Sequence, residues 1–217
     1  MQFRGAPLAF SLILVGLLSA CDGGGSGGGG SSYGDFDFGD NDRNVVVAIG
    51  DSITSGNVCD DEGTTYPDRI AGMTGLTVIN AGISGERSSS TASRTSRELN
   101  RHNPGFLLIL TGHNDAIFDR SVESVIGNLR SIVQQAKGNK TAPILATLVP
   151  INPPRSFATG PAQDYNVGIR QLAKDEGIPL VDLENEFGTS LDLQCDGLHP
   201  NDRGSAIIAA SFADKLP

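Results

Sequence analysis

Five short apolar runs, at residues 45–49, 76–79, 106–110, 144–148 and 179–183, recur along the chain. They are near-continuous rather than alternating, which is the pattern of strands buried on both faces. Between them, apolar residues return at spacings of three and four, as at Val122, Val125, Ile126, Leu129, Ile132 and Val133, and again at Val167, Ile169, Leu172 and Ala173. That spacing predicts amphipathic helices. A last helix is expected after Asn201-Asp202, carrying Ile207, Ile208, Ala210 and Phe212. Buried strands alternating with helices build an α/β three-layer sandwich: a five-stranded, doubly wound parallel sheet with right-handed crossovers and helices on both faces. Sites in such sheets form at the carboxyl ends of the strands.

The residues before this pattern read differently. Arg4 precedes an apolar stretch at 8–18, too short to span a bilayer, which runs into Leu18-Ser19-Ala20-Cys21. The tetrapeptide resembles the lipobox of bacterial lipoproteins. It implies a signal peptide at 1–20, lipid on Cys21, a membrane as partner, and a place in the bacterial cell envelope on the periplasmic or surface side. A plain secretory signal cut after Ala20 is the alternative. Residues 23–32 are all Gly or Ser, and 33–43 are rich in Asp with interleaved aromatics, so 21–43 reads as a linker. Flexible-coil scaling gives it a reach of about 25–30 Å. The domain is then 44–217. The whole chain carries 16 Lys and Arg against 25 Asp and Glu, a balance unsuited to displacing counterions from nucleic acid.

The segments after the strands carry the chemistry. Gly50-Asp51-Ser52-Ile53 follows the first, Asn80-Ala81-Gly82-Ile83-Ser84-Gly85 the second, and Thr111-Gly112-His113-Asn114-Asp115 the third. Cys195-Asp196-Gly197-Leu198-His199 precedes the last helix. A serine, backbone N–H groups on glycine, an amide and an Asp/His pair, brought to one edge, are the parts of a nucleophilic acyl-transfer site.

These four blocks, in this order over about 45–217, resemble the SGNH hydrolases, also called GDSL-type esterases and lipases. Ile53 stands in place of the Leu of the family's name, and His113 where the family more often has a small residue. The resemblance implies a flavodoxin-like SGNH hydrolase fold, a monomer, and a carboxylic-ester hydrolase that needs no metal or other cofactor. It makes Ser52 the nucleophile, His199 the base and then the acid, and Asp196 the group that holds the imidazole. The oxyanion hole it implies uses the N–H groups of Ser52 and Gly82 with the Asn114 side chain. Asp51 and His113 are expected to line the substrate pocket.

Each block also has a plainer reading. Ser52 could cap the first helix, Asn114 could be a turn residue, and Asp115 is taken as a helix cap. Ser88, Ser89 and Ser90 read as solvated loop and capping residues, and His102 as a surface turn residue. Cys59, Cys195, Asp196 and His199 match no zinc spacing. If Cys21 carries lipid, export leaves Cys59 and Cys195 to pair in an oxidising compartment; two free thiols are the alternative. Substrates expected are small-molecule or glycan esters with short acyl or acetyl groups, because no long apolar lid is visible. The acidic segment 57–65 should repel anions. The competing readings are a lysophospholipase or acyl thioesterase and, from another class, a non-catalytic binding module, which should have lost Ser52, Asp196 or His199.

Overall fold

The computed structural model describes residues 1–2, 33–56, 58–59 and 64–217. The expected signal peptide, Cys21 and the Gly/Ser run therefore lie outside the described residues. The sheet has five parallel strands in the order β2-β1-β3-β4-β5. They are β1 (Asp42–Gly50), β2 (Thr77–Gly82), β3 (Pro104–Leu110), β4 (Ala142–Ala146) and β5 (Leu180–Val181). β3 lies at the centre with every residue buried, as its unbroken apolar run requires.

Eight helices accompany the strands: α1 (Ser52–Ser55), α2 (Tyr66–Thr74), α3 (Ser88–His102), α4 (His113–Ile117), α5 (Val122–Gly138), α6 (Thr159–Glu176), α7 (Leu183–Phe187) and α8 (Asp202–Ala213). The chain steps one way from β1 to β2 and the other way thereafter. Right-handed crossovers then put α2 on one face and α3, α5 and α6 on the other. The packing agrees: α3 meets α5 and α5 meets α6, while α2 meets α8 and α8 meets α7. On α5 the buried residues are Val125, Leu129, Ile132, Val133 and Ala136, one helical face that begins after the Ser121 cap. The direction reverses between β1 and β3, so the crevice beyond their carboxyl ends is the topological switch point.

Several expectations need correction. Residues 33–43 are not linker. Tyr33 and Phe38 are buried, with ring centroids 5.1 and 5.3 Å from Phe106 on the central strand, and Arg43 stacks over Phe38. The aspartates between them stay outside, so an acidic segment still docks through its aromatics. β1 starts inside this segment, at Asp42. The fifth run yields a two-residue strand, because Asp182 turns its side chain to the Asn185 N–H and caps α7. Ser88, Ser89 and Ser90 form the first turn of α3, where Ser88 is fully buried. Val167 lies on the exposed side of α6, where Tyr165 and Asn166 are buried instead.

If residues 33–43 belong to the fold, Phe38→Ala should destabilise the protein by about 3 kcal/mol, in the range for emptying a buried aromatic site. The measurement is the urea midpoint at constant m-value, which a mere tether residue would leave unmoved.

Candidate active site

Ser52 opens α1 two residues after β1 ends. The helix cap is Asp51, whose Oδ1 accepts the Ile53 N–H at 3.0 Å, so the Ser52 hydroxyl is not needed for capping. Ser52 Oγ lies 2.9 Å from His199 Nε2, across 147 residues of sequence. His199 Nδ1 lies 2.9 Å from Asp196 Oδ2. An ionised carboxylate can only accept, so Nδ1 carries the proton and Nε2 presents its lone pair to the serine.

The Asp196–His199 turn is held from several sides. Asp196 Oδ1 accepts the N–H groups of Leu198 and His199 at 3.0 and 2.8 Å. Asn152 N–H donates to the Gly197 carbonyl at 2.7 Å, and Gln194 donates to the carbonyls of Leu198 and Pro150. Arg155 places Nη2 3.1 Å from Asp196 Oδ2 and donates through Nη1 to the Asp196 carbonyl. Burial pushes the Asp196 carboxyl up, but the His199 N–H, the imidazole and the Leu198 N–H outweigh it and hold the carboxyl at about 2. Cys59 and Cys195 form a disulfide with Cα atoms 5.9 Å apart, tying the segment after α1 to the residue before Asp196. Cys59, Asp196 and His199 offer ligand atoms within 4.8 Å of one another. The sulfur is spent in the disulfide and the other two bond each other, so the cluster is accounted for without a metal.

On the other side of Ser52 the expectation for Gly82 is overturned. Its N–H donates to Asn80 Oδ1 at 3.0 Å and is not free for a substrate. A β-carbon there would lie 2.1 Å from Ser55 N, so Gly82 serves the close approach of α1 to β2. Gly85, at φ +76°, keeps its N–H uncommitted among the described residues, as do Ser84 and Arg87 in the same loop. Its neighbours locate it: Ser84 Oγ is 3.3 Å from Ser55 Oγ, and Asn114 Nδ2 donates to the Glu86 carbonyl at 2.9 Å. Gly85 is thus bracketed by the nucleophile's helix and by Asn114, which keeps one amide hydrogen unspent. Gly85 was legible as the second glycine of its block. Arg155 left no signal, since nothing in a sequence says which distant arginine will meet a given aspartate.

Asp51 and His113 do not line a pocket. Both are fully buried, 3.3 Å apart, beneath the site, with His113 Nε2 left without a hydrogen-bond partner. Asp115 is structural, as expected, but the helix it caps is α3: its oxygens accept the N–H and Oγ of Ser88. A small cavity, partly open to solvent, lies beside Ser52 and His199 and is lined also by Val58, Tyr66 and Ile208.

A family model described as GDSL-like Lipase/Acylhydrolase family matches residues 48–207. Thioesterase 1/protease 1/lysophospholipase L1 of Escherichia coli is 28% identical over 141 residues, which are 64% of this chain and 66% of that protein, just under two thirds of it. An arylesterase of Vibrio mimicus is 25% identical over 178 residues, 79% of this chain and 87% of that one. Among solved structures, a GDSL-like lipase of Bacteroides thetaiotaomicron superposes with a TM-score of 0.67 at 27% identity, covering 78% of this chain and 86% of its own.

Two outcomes follow from the geometry. Reducing the disulfide should lower kcat before far-ultraviolet circular dichroism changes, because it frees the turn rather than the sheet; simultaneous loss of both signals would count against this. A carboxyl held at about 2, below its ordinary ~3.9, adds stability that is full above the ordinary value and is lost as pH falls through about 2. Asp196→Asn should therefore flatten the fall in urea midpoint between about pH 4 and 2.

Proposed function

The chain belongs to the GDSL-like lipase/acylhydrolase family, and on that premise we propose that it hydrolyses carboxylic esters through an acyl-Ser52 intermediate. The observation that carries this is the unbroken relay Ser52–His199–Asp196, with 2.9 Å at both links. Ser52 Oγ attacks the ester carbonyl as His199 Nε2 takes its proton. The oxyanion is met by the N–H groups of Ser52 and Gly85 and by the free amide hydrogen of Asn114. His199 returns the proton to the departing alcohol, then activates the water that releases the acid. Asp196 stays ionised throughout and stabilises the imidazolium.

Short acyl groups are the preferred reading, since the partly open cavity beside Ser52 and His199 is small. A second reading, a lysophospholipase or acyl thioesterase, draws on the name of the Escherichia coli relative and on apolar residues left exposed on the site-bearing edge, Val58, Ile83 and Phe118. The arylesterase from Vibrio mimicus supports the first reading. We place the protein in the cell envelope, anchored by lipid on Cys21, from the lipobox-like residues 18–21; mass spectrometry finding an unmodified Cys21 thiol at the mature terminus would refute this.

Ser52→Ala should abolish hydrolysis of p-nitrophenyl esters from acetate to palmitate, and labelling by a fluorophosphonate, with the fold intact; label on Ser55 or Ser84 would overturn the assignment. Asn114→Ala should lower kcat by roughly 10²–10³ with little change in KM, since its donor acts on the transition state.

A further inference from the structure

We propose that Arg87, stacked on Phe118, is an anion-binding subsite that selects esters bearing a carboxylate or phosphate near the scissile bond; the inference rests on the ester-hydrolase reading above. Its basis is a cation with nothing to neutralise it, fixed beside the oxyanion donors. The Arg87 guanidinium lies 5.7 Å from the Phe118 ring centroid and, among the described residues, meets no carboxylate and no hydrogen-bond acceptor. Two acids on the same two segments are already committed. Glu86 faces Arg94, which reaches its carboxylate at 2.7 Å through Nη2 and 2.9 Å through Nε, and it also accepts from Thr91. Asp115 is spent on Ser88.

Position comes from the neighbours on both segments. Asn114 donates to the carbonyl of Glu86, the residue before Arg87, and Phe118 follows α4, one turn after Asn114. An ester whose oxyanion sits on Asn114 and Gly85 therefore lies within one side chain's reach of the guanidinium. Stacking on an aromatic face leaves the planar fork of N–H groups open along its edge, the geometry that takes a carboxylate or phosphate in two parallel hydrogen bonds. Phe118, more than half exposed, has little else to hold it but this cation.

The test uses acetate esters of one phenol bearing a para carboxylate, a para phosphate or the neutral methyl carboxylate. Calorimetric binding of all three to Ser52→Ala protein is measured first, where no turnover is needed. Adding Arg87→Gln should weaken binding of both anionic esters about tenfold and leave the neutral one within about twofold. Arg87→Lys should recover part of the loss, and Phe118→Ala should cost less than Arg87→Gln. In otherwise unaltered enzyme, the same Arg87→Gln change should act on KM for the anionic esters. Equal weakening of all three, or none, overturns the proposal, as does failure of the Ser52→Ala protein to bind the anionic esters at all. Arg87-dependent binding without hydrolysis by the unaltered enzyme would instead overturn the ester-hydrolase reading while leaving the subsite in place. Dependence on the phosphate alone assigns a phosphate-bearing leaving group, and on the carboxylate alone a uronate-like one.

Discussion

At two glycines beside the nucleophile the chain packs with no room for a β-carbon, and the site is arranged around those contacts. A β-carbon on Gly50 would lie 2.1 Å from the Leu110 carbonyl oxygen and 2.3 Å from Thr54 Oγ1; on Gly82 it would lie 2.1 Å from Ser55 N. Because the chain can come this close, Ser52 leaves the sheet two residues after β1 ends, with its hydroxyl at the crevice. The Gly50 carbonyl then accepts both the Ile83 N–H and Arg94 Nη2. The strand end, the loop that offers Gly85 and the side chain that orders Glu86 all meet at one peptide group.

Charge is used to fix this geometry. Glu86 and Arg94 are a nearly buried pair, and burying two charges costs desolvation that mutual attraction alone seldom recovers. Here the pair sets the carboxyl end of β1 against the β2–α3 loop, through the Gly50 carbonyl on one side and the Glu86 backbone on the other. Asp51 and His113 join the first turns of α1 and α4 in the same way, beneath the nucleophile. The polar residues packed behind Ser52 are scaffold for the polar residues in front of it.

Much of this was legible in the sequence, and the misses have physical causes. Ser52, Asp196 and His199 stood out because each lies in a Gly-punctuated block after a buried run, where the fold leaves little freedom. Which glycine offers its N–H was not legible, because the answer depends on Asn80 folding back onto Gly82, a side-chain choice two residues away. Asp51 and His113 looked like pocket residues because polar groups beside a nucleophile usually face solvent; they are buried against each other instead, with His113 Nδ1 3.3 Å from Asp51 Oδ2. Residues 33–43 misled through composition: their aspartates outnumber the aromatics, but Tyr33 and Phe38 decide where the backbone goes, since burying a ring outweighs leaving neighbouring charges in water. α3 was hidden by a polar sequence whose buried positions are Ser88, Thr91, Arg94, Thr95, Glu98 and Leu99, so no apolar period marked it.

The two halves of the relay are fixed by different means. Ser52 is placed by the parallel sheet, whose ladder is regular from Val46 to Gly50. His199 has no such ladder; its segment makes one isolated bridge, Gln194 to Pro200, and is otherwise held by scattered main-chain bonds such as Asn152 N–H to the Gly197 carbonyl, by side chains and by the Cys59–Cys195 bond. Asp196 compensates locally. One of its oxygens takes the main-chain N–H of the very histidine whose ring the other orients, so acid and base form a rigid unit within four residues, whatever surrounds it. What remains non-local is the distance from that unit to Ser52, a hydrogen-bond length that must be met across 147 residues of chain. Misplacement there costs rate steeply, because proton transfer and attack share one geometry. The disulfide lies on that one open coordinate: it joins the segment after the nucleophile to the residue before the acid, so it constrains the Ser52–His199 approach while adding nothing to the His199–Asp196 bond, which needs no help.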